Sequence, residues 1–269
     1  MTMDLTFMEK YCHISTHGAV DPVYSVSASE LIDDPATMRD LLERSSVLLK
    51  AIGMELPVSF LGLAAFGLAS TKQLMISQYD RVLDLSPANL TVQLVMHNEY
   101  AQLVFKLHEL RWTELPAGTA CEREAAVAEE WERYLRVEFN PLIESISSAG
   151  GLKPDLIWNQ FGTRAAFMMD FIRENTPQGP KLQKIEDDFA QLAGLPAATF
   201  NRKRGNPFDH KPVYVDSPYK PGTKTMIRSA CCMYYRREDG TKCYNCPLLK
   251  DADRAQRKLE IEAQLAQKV

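Results

Sequence analysis

Four of the six cysteines of this 269-residue chain fall between Cys231 and Cys246, in the stretch "SACCMYYRREDGTKCYNCPLL". No other feature restricts the chain as tightly. Four thiols so close in sequence must pair, stay reduced or share a metal centre, and each outcome demands a particular local fold. The opening "MTMDLTFMEK" has neither a basic n-region nor an apolar h-region, so no export signal is expected. The expected location is cytoplasmic, where glutathione keeps thiols reduced and clustered cysteines serve as metal ligands or redox groups rather than structural disulfides.

The spacing is C-C-x10-C-x2-C, through Cys231, Cys232, Cys243 and Cys246. Four thiolates complete either a tetrahedral zinc site or a two-iron cluster. In extended backbone, consecutive side chains point to opposite faces, so turning Cys231 and Cys232 onto one small ion requires a contorted chain. A two-metal rhomboid offers more widely separated positions. Zinc ribbons favour C-x2-4-C in both knuckles, and only one such knuckle is present. Iron–sulfur is the favoured assignment on these grounds and zinc remains the alternative.

Charge is distributed unevenly. The net charge is -4, but residues 202–250 hold 11 Lys and Arg against 4 Asp and Glu, or +7. The rest of the chain holds 20 against 31, or -11. An acidic body with a basic C-terminal site points to an anionic partner there rather than to nucleic acid, whose binders are usually basic overall. Arg228, Arg236, Arg237 and Lys242 flank the cysteines, and Arg202, Lys203, Arg204, Lys220 and Lys224 lie on the loops before them. Arg204, Lys224, Arg228, Arg236 and Arg237 are the candidate substrate-binding cations; the bland alternative is a solvated basic face.

The rest of the pattern is α+β, with many helices around a small, mainly antiparallel sheet. "DDPATMRDLLERSSVLLKAIG" has a cap in Asp34, a first-turn Pro35 and a stop in Gly53. A buried helix is expected from Pro57 to about Leu74. With no run of eighteen apolar residues, no membrane span is expected. Val92, Leu94 and Met96, then Leu103, Phe105 and Leu107, alternate about "HNE", the period-2 pattern of a hairpin with His97 at its turn. Helical patterning returns in "CEREAAVAEEWERYLRVEFNPLIESISS", broken or kinked at Pro141, in "KPDLIWNQFGTRAAFMMDFIREN", and in "QKIEDDFAQLAG". Residues 196–225 read mostly as loop, and "DADRAQRKLEIEAQLAQ" as a solvated amphipathic helix. The organisation expected is a body over 1–200 and a basic, cluster-binding segment over 201–269, packed as one unit.

Weaker signals have ordinary explanations. Cys12, His13 and His17 hint at a second metal site, but Cys12 and Cys121 are expected as small apolar fillers. Trp158 belongs in a core, and Asn159 is expected to bond to backbone; with Thr163 they could instead line a pocket. Tyr234, Tyr235 and Tyr244 are expected to shield the cluster. No G-x-G-x-x-G, Walker A or H-E-x-x-H sequence occurs.

The cysteine spacing near the C-terminus, the "PLL" after it and the "CCMYYRR" context resemble the FhuF family of ferric siderophore reductases. The resemblance is specific over about 20 residues and looser elsewhere; "LIWNQFGTR" is compatible with it. It implies a [2Fe–2S] cluster held by Cys231, Cys232, Cys243 and Cys246, a fold like the C-terminal region of siderophore synthetases, and one-electron reduction of Fe(III) in a siderophore. The substrate expected is an anionic hydroxamate or citrate-hydroxamate chelate. Electrons would arrive from a separate carrier, a ferredoxin or flavoprotein reductase. A zinc-stabilised binding module and an iron or redox sensor are the competing functions.

Overall fold

The most apolar stretch of the chain becomes its central helix. In the computed structural model, which describes residues 5–267, it is the fourth of nine helices among those residues, α4 (Glu55–Tyr79). Its length and composition would suit a membrane span, yet 78% of its most apolar window is buried inside the protein. The burial comes from helices on several sides: α1 (Thr6–Cys12), α3 (Pro35–Leu49), α6 (Asn140–Ala149), α7 (Asp155–Asn175) and α8 (Pro180–Gly194) all pack on it. α7 comes close at one glycine. A Cβ on Gly62 would lie 2.5 Å from Ile157 Cγ2, so only glycine lets these two helices meet there.

α3 begins as its sequence dictates, with the Asp34 carboxylate accepting from the Ala36 and Thr37 amides. It does not run on to Gly53. Lys50 turns left-handed at φ 51°, which brings Ala51 and Ile52 against Arg237 and Arg236; Ile52 N–H donates to Arg236 O at 2.9 Å. The early stop thus places the helix end beside the cysteine segment.

The main sheet has the order β1-β5-β4-β2. Its core is the hairpin of β4 (Leu90–His97) and β5 (Tyr100–Leu107), joined through Asn98 and Glu99, with Val92 facing Phe105 and Leu94 facing Leu103. β2 (Tyr24–Ser27) pairs antiparallel to β4, and β1 (Ile14–Ser15) parallel to β5. The expected alternation fails at the tip. Met96 is exposed while Gln93 and Val95 are buried, because β4 is covered on both faces in its middle and its end projects beyond the core. Gln93 is satisfied there by the Ala19 amide, at 2.8 Å. α2 (Ala28–Asp33) links β2 to α3 and packs on β4.

A second, two-stranded sheet joins β3 (Arg81–Leu83) to β6 (Trp112–Glu114). α5 (Ala120–Tyr134) starts with a capping box from Thr119 and Glu122. The break expected at Pro141 takes the form of a π-helical turn, Leu135–Phe139, just before α6. Trp131, Tyr134, Phe139, Trp158 and Phe161 form an edge-rich aromatic core, to which Phe200 and Phe208 are added. Those last two come from the segment read as loop, so it is anchored by burial. That segment also contains a hairpin: β7 (Val213–Asp216) pairs with β8 (Lys224–Ile227). Its high Pro, Gly and Lys content hid strands whose residues are mostly exposed. α9 (Asp251–Ala266) closes the described chain.

Candidate functional site

The cysteines sit on two tight turns that follow β8. After Cys231 and Cys232, Met233 adopts φ 58°, and Arg236 N–H returns to Met233 O at 2.7 Å. This left-handed residue turns the chain sharply just after the cysteine pair. The second turn is the C-x-x-C itself, closed by Cys246 N–H to Cys243 O at 3.0 Å. The turns are tied to each other by Arg228 N–H to Asn245 O at 3.0 Å, and by Asn245 Nδ2 to Met226 O at 3.2 Å.

Three elements hold this segment in place. From α4, Ser59 Oγ donates to Cys232 O at 2.8 Å, and Glu55 pairs with Arg236 at 2.8 Å. From α7, Thr163 and Ser229 exchange hydrogen bonds, each amide donating to the other's hydroxyl. From α9, Arg254 reaches inward and is 8% exposed. Its guanidinium donates to Tyr244 O at 2.6 Å, to Leu249 O at 2.9 Å and, more loosely, to Cys246 O at 3.4 Å. These are carbonyls in and just after the second turn, of which Cys246 O also accepts from the Leu249 amide at 3.2 Å, and a fork of N–H groups suits them.

All four cysteines line one cavity of about 320 Å³. Cys231 and Cys246 are buried, with sulfurs 3.5 Å apart, while Cys232 and Cys243 are half-buried. The Arg228 guanidinium donates to Cys232 Sγ at 2.7 Å, and the Met233 amide bonds to the Cys231 sulfur. Burial pushes the Cys231 thiol up to about 12, with the Met233 amide opposing. Burial likewise raises Cys243, against the pull of Arg228. Such thiols ionise only for a strong electrophile, and metal ions deprotonate coordinating thiols outright.

The donor set is all sulfur, with N–H groups aimed at two of the sulfurs, which suits an iron–sulfur cluster. Among the described residues, no three His, Cys, Asp or Glu side chains gather tightly enough to hold a single ion. The same observation covers Cys12, His13 and His17. Cys12 is a buried filler whose thiol, desolvated, is held up near 11. Cys121 is exposed on α5, since its position falls on the solvent face of that helix, and so is no filler.

The basic residues separate into three groups. Arg228 and Arg237 line the cysteine cavity together with Lys242, Tyr234 and Tyr235. Arg236 is spent on Glu55. Arg204 and Lys224 are exposed and lie outside the lining. Trp158 is core, as expected, but Asn159 bonds a side chain rather than backbone: its Oδ1 accepts from Arg202 Nη2 at 2.6 Å. Tyr244 is buried, its hydroxyl on Asp216 O. Sequence reasoning missed Arg254, Ser59 and Arg164. Arg164, on α7, projects accessibly into the cavity with no ion-pair partner among the described residues. Crowding by protein and the neighbouring Arg228 lower its pKa, while Cys232 opposes them.

An α+β scaffold presenting four thiols and a cationic wall in one cavity defines an iron–sulfur protein. Residues 228–248 match the family model of the FhuF 2Fe-2S C-terminal domain. The cofactor is accordingly a [2Fe–2S] cluster. Comparison of the chain with curated proteins finds no match.

Proposed function

We propose that this protein is a ferric siderophore reductase of the cytoplasm, with the cluster held by Cys231, Cys232, Cys243 and Cys246. The observation that carries the reading is the match of residues 228–248 to the FhuF 2Fe-2S domain, falling on four thiols that share one cavity. When bound, the cluster supplies single electrons, at a potential set by hydrogen bonds to sulfur and by exposure. The chain's own groups do the rest. The Met233 amide and the Arg228 guanidinium stabilise negative charge on the sulfurs of Cys231 and Cys232. Arg164, Arg228, Arg237 and Lys242 offset the negative charge of an incoming chelate. Arg254 and Ser59 keep the turns rigid, so that little rearrangement accompanies the transfer.

The reaction balances simply. One electron from an external carrier, a ferredoxin or flavoprotein reductase, passes through the protein to Fe(III). The product Fe(II) is larger and less charged, and hydroxamate or carboxylate oxygens, which are hard donors, hold it far less well. Anaerobic purification followed by iron, sulfide and zinc analysis, then turnover of a ferric trihydroxamate with dithionite, tests the reading. Two irons and two sulfides per chain with Fe(II) release are expected. Stoichiometric zinc without iron, or a loaded protein that reduces no ferric chelate, would overturn it.

A further inference from the structure

A second cavity, of about 750 Å³, adjoins the one that holds the cysteines. The two share a wall made by Phe60 and Leu63 of α4, Tyr100 and Ala101 at the hairpin tip, and Arg164 of α7. The larger cavity is aromatic. Phe7 and Tyr11 of α1 face Phe171 of α7, with ring centroids 5.2, 5.4 and 6.2 Å apart. Four of its lining rings stand open to solvent: Tyr11 is 51% exposed, Tyr100 69%, Phe167 47% and Phe171 38%. A concentration of exposed rings about one concavity marks a place where apolar surface is to be covered.

Its charge is equally specific. Among the described residues the lining contains no Asp or Glu, and its one permanent charge is Arg164. His13 also lines it, and burial together with Arg164 lowers the pKa of that imidazole. Cys12 contributes a protonated thiol. The cavity therefore offers no carboxylate to a cationic ligand and, among the described residues, no metal-ligating cluster. It offers one unpaired guanidinium, on the wall facing the thiols, and an aromatic surround.

We propose that this cavity seats the ferric chelate, and that the substrate class is a neutral or anionic oxygen-donor chelate carrying an apolar or aryl arm. The inference rests on the reductase reading. On that reading the cysteine cavity is taken by the cluster, so the chelate lies beside it, across the residues that line both cavities. Arg164 meets the chelate's oxygens at that wall while the arm covers Phe167, Phe171, Tyr11 and Tyr100. A compact, hydroxyl-covered chelate would leave those rings wet and gain nothing from them.

The test is calorimetric titration of the cluster-loaded protein with redox-inert Ga(III) complexes, so that binding is read apart from turnover. Two trihydroxamates of equal charge are compared, one compact and one bearing an octanoyl arm, with free octanoate as the third ligand. The armed complex is expected to bind about tenfold tighter or better, since each buried methylene contributes about 0.8 kcal/mol. The double substitution Phe167→Ser, Phe171→Ser should shrink that preference to about twofold while sparing the compact complex. Tyr11→Ser with Tyr100→Ser, from α1 and the hairpin tip, gives the same readout if the first pair fails to load. Arg164→Gln should weaken both complexes alike. Equal affinities, a preference that survives both double substitutions, or octanoate binding as tightly as the armed chelate, which would mark a lipid pocket, would each overturn the seat. Armed-chelate preference without turnover of its Fe(III) counterpart would support the seat and defeat the reductase reading instead.

Discussion

At the scale of single residues, the side chain that most directly sets the chemistry is Arg228. Its guanidinium lies 2.7 Å from Cys232 Sγ, and a cation at that distance favours whichever state carries more negative charge. Reduction adds an electron, so Arg228 is expected to raise the potential of a cluster held on these cysteines. Replacing it by Gln leaves a neutral donor of similar reach. The midpoint is then expected to fall by on the order of 50 mV, close to the 59 mV that corresponds to tenfold in a one-electron equilibrium. Arg228→Lys should retain most of the difference. A redox titration of the loaded variants reads both, and an unchanged midpoint in Arg228→Gln would mean that the guanidinium turns away when the centre is filled. The sequence alone suggested Arg228, because it stands three residues before Cys231. It could not separate Arg228, which reaches Cys232, from Arg236, which is paired with Glu55. That distinction depends on where α4 begins, information no local pattern contains.

At the scale of elements, α9 is the least obvious participant. Read as a pattern it is a solvated amphipathic helix, and most of its residues are indeed exposed. Its task is concentrated in Arg254, whose N–H groups are shared among the carbonyls of Tyr244, Cys246 and Leu249. Arg254→Met removes those donors while keeping an unbranched stem. Cys246 O keeps the Leu249 amide, but Tyr244 O and Leu249 O lose this donor; a buried carbonyl left unsatisfied costs about 1–3 kcal/mol, and the cost falls in and next to the turn that bears Cys243 and Cys246. The variant is expected to lose its visible absorption at least about tenfold faster than the parent under a competing chelator. Its far-ultraviolet circular dichroism should stay unchanged. Equal loss rates would show that α9 merely rests on the surface. The same contrast explains what sequence reveals of elements in general. α3, the central hairpin and α7 were legible because caps, prolines and apolar periodicity are local. The β7–β8 hairpin was not, because its strands are largely exposed and owe their pairing to a turn rather than to an apolar face. The stop at Lys50 was hidden for another reason: Gly53 is the better local signal, but contact with Arg236 and Arg237 decides where the chain turns.

At the scale of the whole molecule, the partition of charge survives folding. The cations of residues 202–250 are not cancelled by the acidic body. Glu55 takes Arg236 and Asp155 takes Arg202, but Arg237 and Lys242 stay on the cavity lining, bonded to the Tyr234 hydroxyl and to Leu248 O. With residues 202–250 carrying +7 and the rest of the chain -11, an anionic chelate should be drawn toward the cations of the cavity lining before contact is made. Steering of this kind acts on encounter. It should appear in the second-order rate at which an anionic ferric chelate oxidises the reduced protein, and fade as screening shortens to about 8 Å at physiological ionic strength. Driving force must be matched, since potential alone can rank chelates. In stopped flow across an ionic-strength series, the anionic chelate is expected to react faster than a cationic one of equal potential at low salt. The two should converge as salt rises. Arg237→Glu with Lys242→Glu should flatten the salt dependence of the anionic chelate while leaving the bound-state electron-transfer rate little changed, because neither residue bonds a cysteine sulfur. A parent rate that is flat with salt, or a cationic chelate that reacts as fast at low salt, would reduce the basic face to solvated surface. Selectivity would then belong entirely to the aromatic cavity and to Arg164.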